Sequence, residues 1–169
     1  MAFDAFMKIE GAPAIKGETS KKGKEDQIEI YSFSWGASNP VTVSDNKGIA
    51  ASKVSISSFN IMKKSDTASP PLFLACCAGT VYPKAVVTMR KASGGGGDKP
   101  GEDYITYTFE NLMIESIQWS GSTGGDDTPV ESVSFAFTKV KMEYKIQDDK
   151  GQFKAGPNAG WDIKAGVKA

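Results

Sequence analysis

The chain of 169 residues contains no histidine. Histidine is the side chain most often used as a general base near neutral pH, and it is the commonest metal ligand. Its absence excludes a Ser-His-Asp or a Cys-His catalytic site. From this sequence we therefore expect no enzyme activity, no metal centre and no cofactor.

Cysteine is also scarce, because the two cysteines of the chain are the adjacent pair Cys76 and Cys77. Adjacent cysteines rarely form a disulfide, since the bridging geometry is strained. A metal site would need further ligands beside them. We interpret the pair as small apolar packing residues in a reduced, cytoplasmic protein.

Long hydrophobic runs and a charge excess of either sign are missing as well. No apolar run approaches the roughly 20 residues that cross a bilayer. The N-terminus lacks the basic start and long apolar stretch of a secretory signal. Twenty acidic residues balance twenty basic ones. The sequence therefore favours neither nucleic acid as a partner nor insertion into a membrane.

The chain has, instead, alternating apolar and polar residues punctuated by 18 Gly and 8 Pro. This pattern is typical of a mainly β chain, and the length suits a single domain over residues 1–169. Strands are predicted over residues 2–10, 26–35, 53–63, 81–91, 103–110, 112–120 and 130–147. One short helix is predicted from Ser69-Pro70-Pro71, with Ser69 as its N-cap and Gly79 as its C-terminal stop.

Three of these strands change the parity of their apolar residues partway. In each strand the apolar residues first occupy every second position and then shift by one position. The shifts run from Ile28 and Ile30 to Tyr31, Phe33 and Trp35, from Val54 and Ile56 to Phe59 and Ile61, and from Val133, Phe135 and Phe137 to Val140, Met142, Tyr144 and Ile146. A slip of one residue turns all later side chains to the other face, so either a bulge absorbs it or both faces are buried. We expect a curved, closed sheet that also contacts partners.

Residues 36–52 form a long polar segment with a strand-like piece, Pro40-Val41-Thr42-Val43, at its middle. Loops of this length inside a compact domain are usually either functional or disordered. Two interpretations are open: a floppy loop, or an arm that packs on a neighbouring subunit.

Two other kinds of loop resemble ligand sites only in part. The glycines at 94–97 lack the Lys-Ser or Lys-Thr of a phosphate-binding loop and predict a flexible hairpin tip. The acidic turns at 126–127 and 148–149 lack the ligand spacing of a calcium loop. Asp126, Asp127 and Glu131 would serve glycoside hydrolysis only if they lined a cleft, and no sequence feature places them in one.

An ordered set of motifs resembles the haemolysin-coregulated protein (Hcp) family of type VI secretion tube proteins. The motifs are Asp4-Ala5-Phe6-Met7-Lys8-Ile9, Ile15-Lys16-Gly17-Glu18-Thr19, Phe33-Ser34-Trp35-Gly36, Ser69-Pro70-Pro71-Leu72, Tyr82-Pro83-Lys84-Ala85, Arg90-Lys91-Ala92, Glu131-Ser132-Val133-Ser134-Phe135 and Gly160-Trp161-Asp162-Ile163-Lys164-Ala165. No single motif is specific, but their order spans essentially the whole chain. The lengthened glycine run before Asp98 is one departure from the family pattern, and it affects only a loop.

The resemblance implies a two-sheet β-barrel with one short helix. Six such subunits would close into a ring, and rings would stack into a hollow tube. The tube would carry effectors in its lumen inside a contractile sheath, beside spike proteins. It would be cytoplasmic before firing and then secreted without a signal peptide.

Site residues follow from this picture as expectations. Ser32 and Ser34 are predicted to face the lumen, because cargo of varied shape suits small polar side chains. The arm at Pro40, Val41, Thr42 and Val43 is predicted to stack one ring on the next by adding to a strand edge. Trp35 and Trp161 are predicted to be packing anchors.

Two rival functions remain from the sequence. One is a phage-type tail tube protein, which would share this architecture. The other is a stand-alone β-barrel module for a small apolar ligand. Ring formation separates the tube interpretations from the module, because a monomeric barrel needs neither an arm nor strands with two apolar faces.

Overall fold

The computed structural model describes residues 3–46, 48–91, 100–125 and 127–169. Within these residues the chain is mainly β with one short helix, as predicted. The strands are β1 (Asp4–Glu10), β2 (Ile28–Ile30), β3 (Ser32–Ser34), β4 (Ala37–Ser38), β5 (Val41–Ser44), β6 (Gly48–Ala51), β7 (Ser55–Ile56), β8 (Phe59–Lys64), β9 (Val81–Lys91), β10 (Glu102–Ser120), β11 (Val130–Ala136), β12 (Lys139–Gln147), β13 (Phe153–Asp162) and β14 (Val167–Lys168). The helix is α1 (Ser69–Ala78). The glycine run at 94–97 and Asp126 lie outside the described residues.

The long strand β10 is shared by two halves of the sheet. Its first part, from Ile105 to Glu110, pairs with β12, which continues to β13 and β14. Its second part, from Met113 to Ser120, pairs with β11, which continues to β8 and β3. Its other edge pairs with β9, which leads to β1 and β2. All neighbouring strands are antiparallel, as short connections between strands allow.

The sheet closes on itself through the segment that contains β2 and β3. β2 pairs with β1, whereas β3 pairs with β8. The two strands are separated by Tyr31 alone, whose backbone N–H donates to the carbonyl oxygen of Met62 at 2.9 Å. The path from β8 through β11, β10, β9, β1 and β2 therefore returns to β8. This closure gives the expected barrel.

Each of the three parity slips coincides with a break between strands. Tyr31 separates β2 from β3, residues 57–58 separate β7 from β8, and residues 137–138 separate β11 from β12. The breaks let one chain segment pass from one half of the sheet to the other. The three predicted single strands are therefore split. Conversely, the strands predicted over 103–110 and 112–120 are one strand, β10, bent at Asn111 with a φ of 50°.

The core is filled by aromatic and aliphatic side chains from both halves of the sheet. Phe109 lies at its centre, with its ring 4.8 Å from that of Phe59 and 4.6 Å from that of Phe137. Other fully buried large side chains of the core include Met7, Ile28, Ile61, Leu72, Tyr82, Met89, Leu112 and Phe135. The parity of each strand thus matches the core within its own half of the sheet.

The helix begins differently from the prediction. Ala68 occupies the N-cap position without a side-chain cap, and Ser69 is the first helical residue. The Ser69 hydroxyl instead accepts hydrogen bonds from the backbone N–H of Asp66 and from Lys63 Nζ. Pro70 in the first turn and left-handed Gly79 at the end agree with the prediction.

Strands β13 and β14 were not predicted. The sequence of β13 contains Gly156, Pro157, Asn158 and Gly160, residue types that are depleted in strands. The pairing of β13 with β12 shifts register between Glu143 and Lys145, which leaves Pro157 in the irregular part of the ladder. Tertiary pairing with β12 therefore overrides a weak local preference.

Candidate assembly and cargo surfaces

Four strands of the barrel carry a row of small polar side chains on the face away from the core. Ser34 on β3 lies opposite Asn60 on β8, Asn60 lies opposite Ser134 on β11, and Ser134 lies opposite Ser116 on β10. Ser34 is exposed, and its neighbour Phe33 points the other way, into the core cluster. The Ser134 hydroxyl also donates to Asn60 Oδ1.

A second row lies beside the first. It joins Ser32, Met62, Ser132 and Gln118 across the same four strands. Met62, which is 44% exposed, is the apolar member of the two rows. We call these eight residues the serine face. None of the eight is charged, and both predicted lumen residues, Ser32 and Ser34, belong to it.

The serine face ends at two strand edges. β3 pairs with β8 on one side, and within the described residues no strand pairs with its other side. In β10, residues 116–120 pair with β11, and the pairing with β9 stops at Met113. Unpaired strand edges present backbone donors and acceptors to which a further strand can add. The four-strand unit is thus open at both sides.

The predicted arm is a two-stranded hairpin that projects from the barrel. β5 pairs with β6 in a register that puts Val41 opposite Ala51 and Val43 opposite Ile49. These four apolar residues share one side of the hairpin, which we call the arm face. Val43 is 75% exposed and Ile49 is 77% exposed. A two-stranded hairpin is only marginally stable in water unless another part of the protein packs against it. The exposure of the arm face shows that this packing is absent among the described residues.

The root of the arm is held by hydrogen bonds. The backbone N–H of Ser52 donates to Asn39 Oδ1 at 2.9 Å and to the carbonyl oxygen of Pro40 at 3.0 Å. Pro40 precedes β5 and cannot donate to its ladder. The segment that the sequence left open between a floppy loop and an arm contains a paired hairpin, and its packing on a neighbouring subunit stays a prediction.

The Trp35 ring packs at the edge of the aromatic core. It is partly buried and makes edge-to-face contacts with Tyr107 at 5.3 Å, Phe109 at 6.1 Å and Phe137 at 6.4 Å. Such contacts add to the free energy of area burial.

Trp161 on β13 lies opposite Val140 on β12 and is also partly buried. Its indole Nε1 is buried and, within the described residues, has no hydrogen-bond partner. A cavity of about 260 Å³ lies beside it, next to Asn39 and Ser52 at the root of the arm. The tryptophan thus lines one cavity together with residues at the base of the arm.

A buried polar network, missed in the sequence, lies under the N-terminus of α1. Lys63 Nζ lies 2.7 Å from Glu131 Oε2 and 2.8 Å from Asp66 Oδ1. Trp119 Nε1 and the Ser65 hydroxyl both donate to Glu131 Oε1. Burial alone would raise the pKa of Glu131, but these hydrogen bonds outweigh burial and lower it.

The sequence carried a signal for this network. Lys63 follows Phe59 and Ile61 at a spacing of two, and Glu131 precedes Val133 and Phe135 at the same spacing. Each charge therefore occupies a core-facing position of its strand, and the two lie directly opposite each other. Glu131 is fully buried and ion-paired, so it does not line a cleft as glycoside hydrolysis would require.

The part of the chain that the structure describes offers no other candidate centre for metal chemistry. No cluster of three or more cysteine, aspartate or glutamate side chains there could hold a metal ion. No helix there is both long enough and apolar enough to span a bilayer.

Comparison with known proteins decides the family. The family model described as type VI secretion system effector, Hcp, matches residues 6–144. Protein Hcp1 of Pseudomonas aeruginosa is 34% identical over 170 residues, which cover 100% of both chains. The chain belongs to the Hcp family. The resemblance drawn from the ordered motifs is therefore confirmed.

Solved Hcp-family structures share the fold. A type six secretion system protein superposes with a TM-score of 0.89 at 30% identity, covering 99% of this chain and 100% of that chain. Hcp1 from Salmonella typhimurium superposes with a TM-score of 0.78 at 32% identity, covering 100% of both chains. This Hcp chain is a component of the type VI secretion tube, and neither rival function receives support from the comparisons.

Proposed function

We propose that this Hcp chain forms a hexameric ring whose lumen is lined by the serine face. The single observation that carries the proposal is the four-strand unit with two unpaired edges. β3 runs antiparallel to β10, because each of the three intervening pairings is antiparallel. If the β3 edge of one copy pairs with the β10 edge of the next, then neighbouring strands remain antiparallel across the join.

Such a join is heterologous, since it uses two different edges of each copy. A heterologous interface closes into a ring when its rotation permits closure. Repeating it around an axis turns six serine faces into one continuous wall. The wall would be uncharged apart from its margins, so cargo of either sign could enter without electrostatic repulsion.

In this proposal Ser32 and Ser34 contact cargo, because their short hydroxyl side chains leave room for other molecules and offer both a donor and an acceptor. The cargo is type VI effectors, and the assembled tube works with sheath and spike proteins. The protein is cytoplasmic before firing and is then secreted without a signal peptide.

The arm at Pro40, Val41, Thr42 and Val43 stacks rings. Support comes from its projection beyond the barrel and from the exposed, apolar arm face. Apolar side chains of this size gain free energy when a partner removes them from water. A second interface of this kind, between ring faces, extends rings into a tube.

Native mass spectrometry with electron microscopy of the same sample tests the ring. Six copies of 18.0 kDa give 6 × 18.0 = 108 kDa. A species of that mass, with rings that have an open centre, is the expected result. A stable monomer near 18.0 kDa at high concentration would contradict the proposal.

A further inference from the structure

The cavity at the root of the arm contains a hydrogen-bond donor that lacks an acceptor. This cavity of about 260 Å³, which we call the indole cavity, is lined by residues of the arm root and by residues near the C-terminus. Trp161 is one of them, and its buried indole Nε1 has no hydrogen-bond partner within the described residues. A buried N–H group that loses water without gaining an acceptor costs free energy, so such groups are normally paired. The indole cavity is therefore the space in which an acceptor is expected.

The lining of the indole cavity also carries a positive charge that no negative charge balances. Lys53 is the charged residue among the described residues that line it, and its side chain is exposed. Within the part of the chain that the structure describes, Lys53 forms no ion pair, whereas Lys21, Lys24 and Lys63 each pair with a carboxylate. An ammonium and an indole N–H both donate hydrogen bonds and accept none. Together they favour an anion.

Two polar side chains of the arm root add further donors. Asn39 Oδ1 accepts the backbone N–H of Ser52 at 2.9 Å, which leaves the amide nitrogen as the donor of the Asn39 side chain. The Ser52 hydroxyl is able to donate as well. The described lining thus offers an ammonium, an indole, an amide and a hydroxyl, and it contains no carboxylate that would compete with a ligand for them.

Size and charge narrow the class of anion. Pockets for drug-sized ligands measure roughly 300–1,000 Å³, so the indole cavity suits a smaller molecule or a single terminal residue. A phosphate group carries about −1.5 to −2 charge near neutral pH, which one lysine does not balance. A carboxylate carries a single charge. Val54 and Ile163, which are both partly buried, add an apolar surface to the lining.

We propose that the indole cavity binds a carboxylate with a short apolar tail. One carboxylate oxygen accepts a hydrogen bond from Trp161 Nε1, the negative charge pairs with the Lys53 ammonium, and the tail lies against Val54 and Ile163. The site does not depend on the proposed tube and exists whether or not rings form. Because Lys53 belongs to the arm root and Trp161 to β13, a bound ligand connects the arm to the barrel.

The three tryptophans of the chain provide a direct reporter of binding. Protein labelled with 5-fluorotryptophan gives a separate fluorine NMR signal for each of Trp35, Trp119 and Trp161, and the Trp161→Phe variant identifies the signal of Trp161. Sodium butyrate is the probe, since it combines a carboxylate with a propyl tail. Butyramide is the neutral control of the same shape, and sodium chloride controls for ionic strength.

We expect butyrate to shift the Trp161 signal until it saturates, in the millimolar range that suits a ligand of so few atoms, and to leave the Trp35 and Trp119 signals in place. Butyramide should bind at least about tenfold more weakly, because it lacks the charge that pairs with Lys53. Lys53→Met should weaken butyrate binding by a similar factor. Lys8→Met is the matched control, because it removes an exposed lysine of β1 that does not line the cavity, and it should leave binding unchanged.

Four results would overturn the site. They are a Trp161 signal that butyrate does not move, a shift that sodium chloride reproduces, an equal response to butyrate and butyramide, and a Lys53→Met protein that binds butyrate as tightly as the unchanged protein does. Native mass spectrometry of each variant checks that its assembly matches that of the unchanged protein, so that a lost ring is not mistaken for a lost site.

A second pair of probes separates two sources of such a carboxylate. The dipeptide acid N-acetyl-glycyl-valine presents the carboxyl end of a polypeptide, and its C-terminal amide is the matched control. If the dipeptide acid binds more tightly than butyrate and its amide does not bind, then the site takes the terminus of a polypeptide. If butyrate binds more tightly, then the site takes a free small acid. Both results support a carboxylate site.

Discussion

Lys63 Nζ lies 2.7 Å from Glu131 Oε2, and both side chains are fully buried. The same ammonium lies 2.8 Å from Asp66 Oδ1, at the loop that precedes α1. One buried cation is therefore shared by two carboxylates. The Ser69 hydroxyl at the start of the helix contacts it as well, so the network ties β8, β11 and α1 together.

Because Lys63 pairs with two carboxylates, replacing Lys63 and replacing Glu131 should lower the free energy of unfolding by different amounts. Lys63→Met leaves the buried Glu131 carboxylate without its cation, and removing one partner of a buried pair typically costs about 3–5 kcal/mol. Glu131→Gln leaves Lys63 beside Asp66, so its cost should be clearly smaller. Urea unfolding at pH 7 and matched protein concentration measures both free energies of unfolding. Equal costs would show that Asp66 does not compensate.

The stability of the fold should also depend on acid through Glu131. Its pKa is lowered in the folded protein, whereas in the unfolded chain a glutamate has a pKa of about 4.3. The stability that ionised Glu131 contributes is thus fully present above about pH 4.3, and it is lost as the pH falls through the lower pKa of Glu131 in the folded protein. Melting temperatures from pH 7 down to pH 3 should fall less steeply for Glu131→Gln than for the unchanged protein. Parallel curves would contradict this.

Gly17 is predicted to be intolerant of any side chain. It is buried, its N–H donates to the carbonyl oxygen of Asp26 at 2.9 Å, and a Cβ there would clash with the carbonyl oxygen of Gln27. Gly17→Ala should destabilise the protein by about 1–3 kcal/mol, as overpacking does. Gly124→Ala is the matched control, because a Cβ there meets no atom within 4 Å. The control should change the free energy of unfolding by less than about 0.5 kcal/mol.

Ser34 tests the lumen assignment. Replacement by arginine should leave rings intact and reduce the cargo that co-purifies with them, because a long charged side chain fills space on the serine face. Ser20→Arg makes the same exchange at an exposed site in the link between β1 and β2 and should retain cargo. If rings disappear in Ser34→Arg while Ser20→Arg assembles, then Ser34 is structural and the lumen assignment is wrong.

Strong local sequence patterns were sufficient to predict much of the fold. Residues 81–91 were predicted as a strand and form β9 with those bounds. The helix with Pro70 near its start and Gly79 at its end was predicted because proline and glycine act through backbone geometry alone. The parity slips predicted a curved sheet, but the single strand predicted over 26–35 is split into β2 and β3. The order of the motifs along the chain was sufficient to indicate the family.

Other features depended on partners that are distant in the chain. β13 is a strand because it pairs with the edge of β12, although Gly156 and Pro157 weaken its local preference for strand structure. Lys63 and Glu131 are 68 residues apart, and only the pairing of β8 with β11 brings them together.

The sequence by itself thus determined the fold class, the helix that includes Pro70, and the family. The tertiary structure alone decided that Ser34, Asn60, Ser134 and Ser116 form one row and that, among the described residues, no strand pairs with the two edges of their face. It also decided that the apolar side chains of the arm face are exposed. The physical reason is that side-chain parity is a local property, set by neighbours in the chain, whereas register and exposure depend on which strands meet.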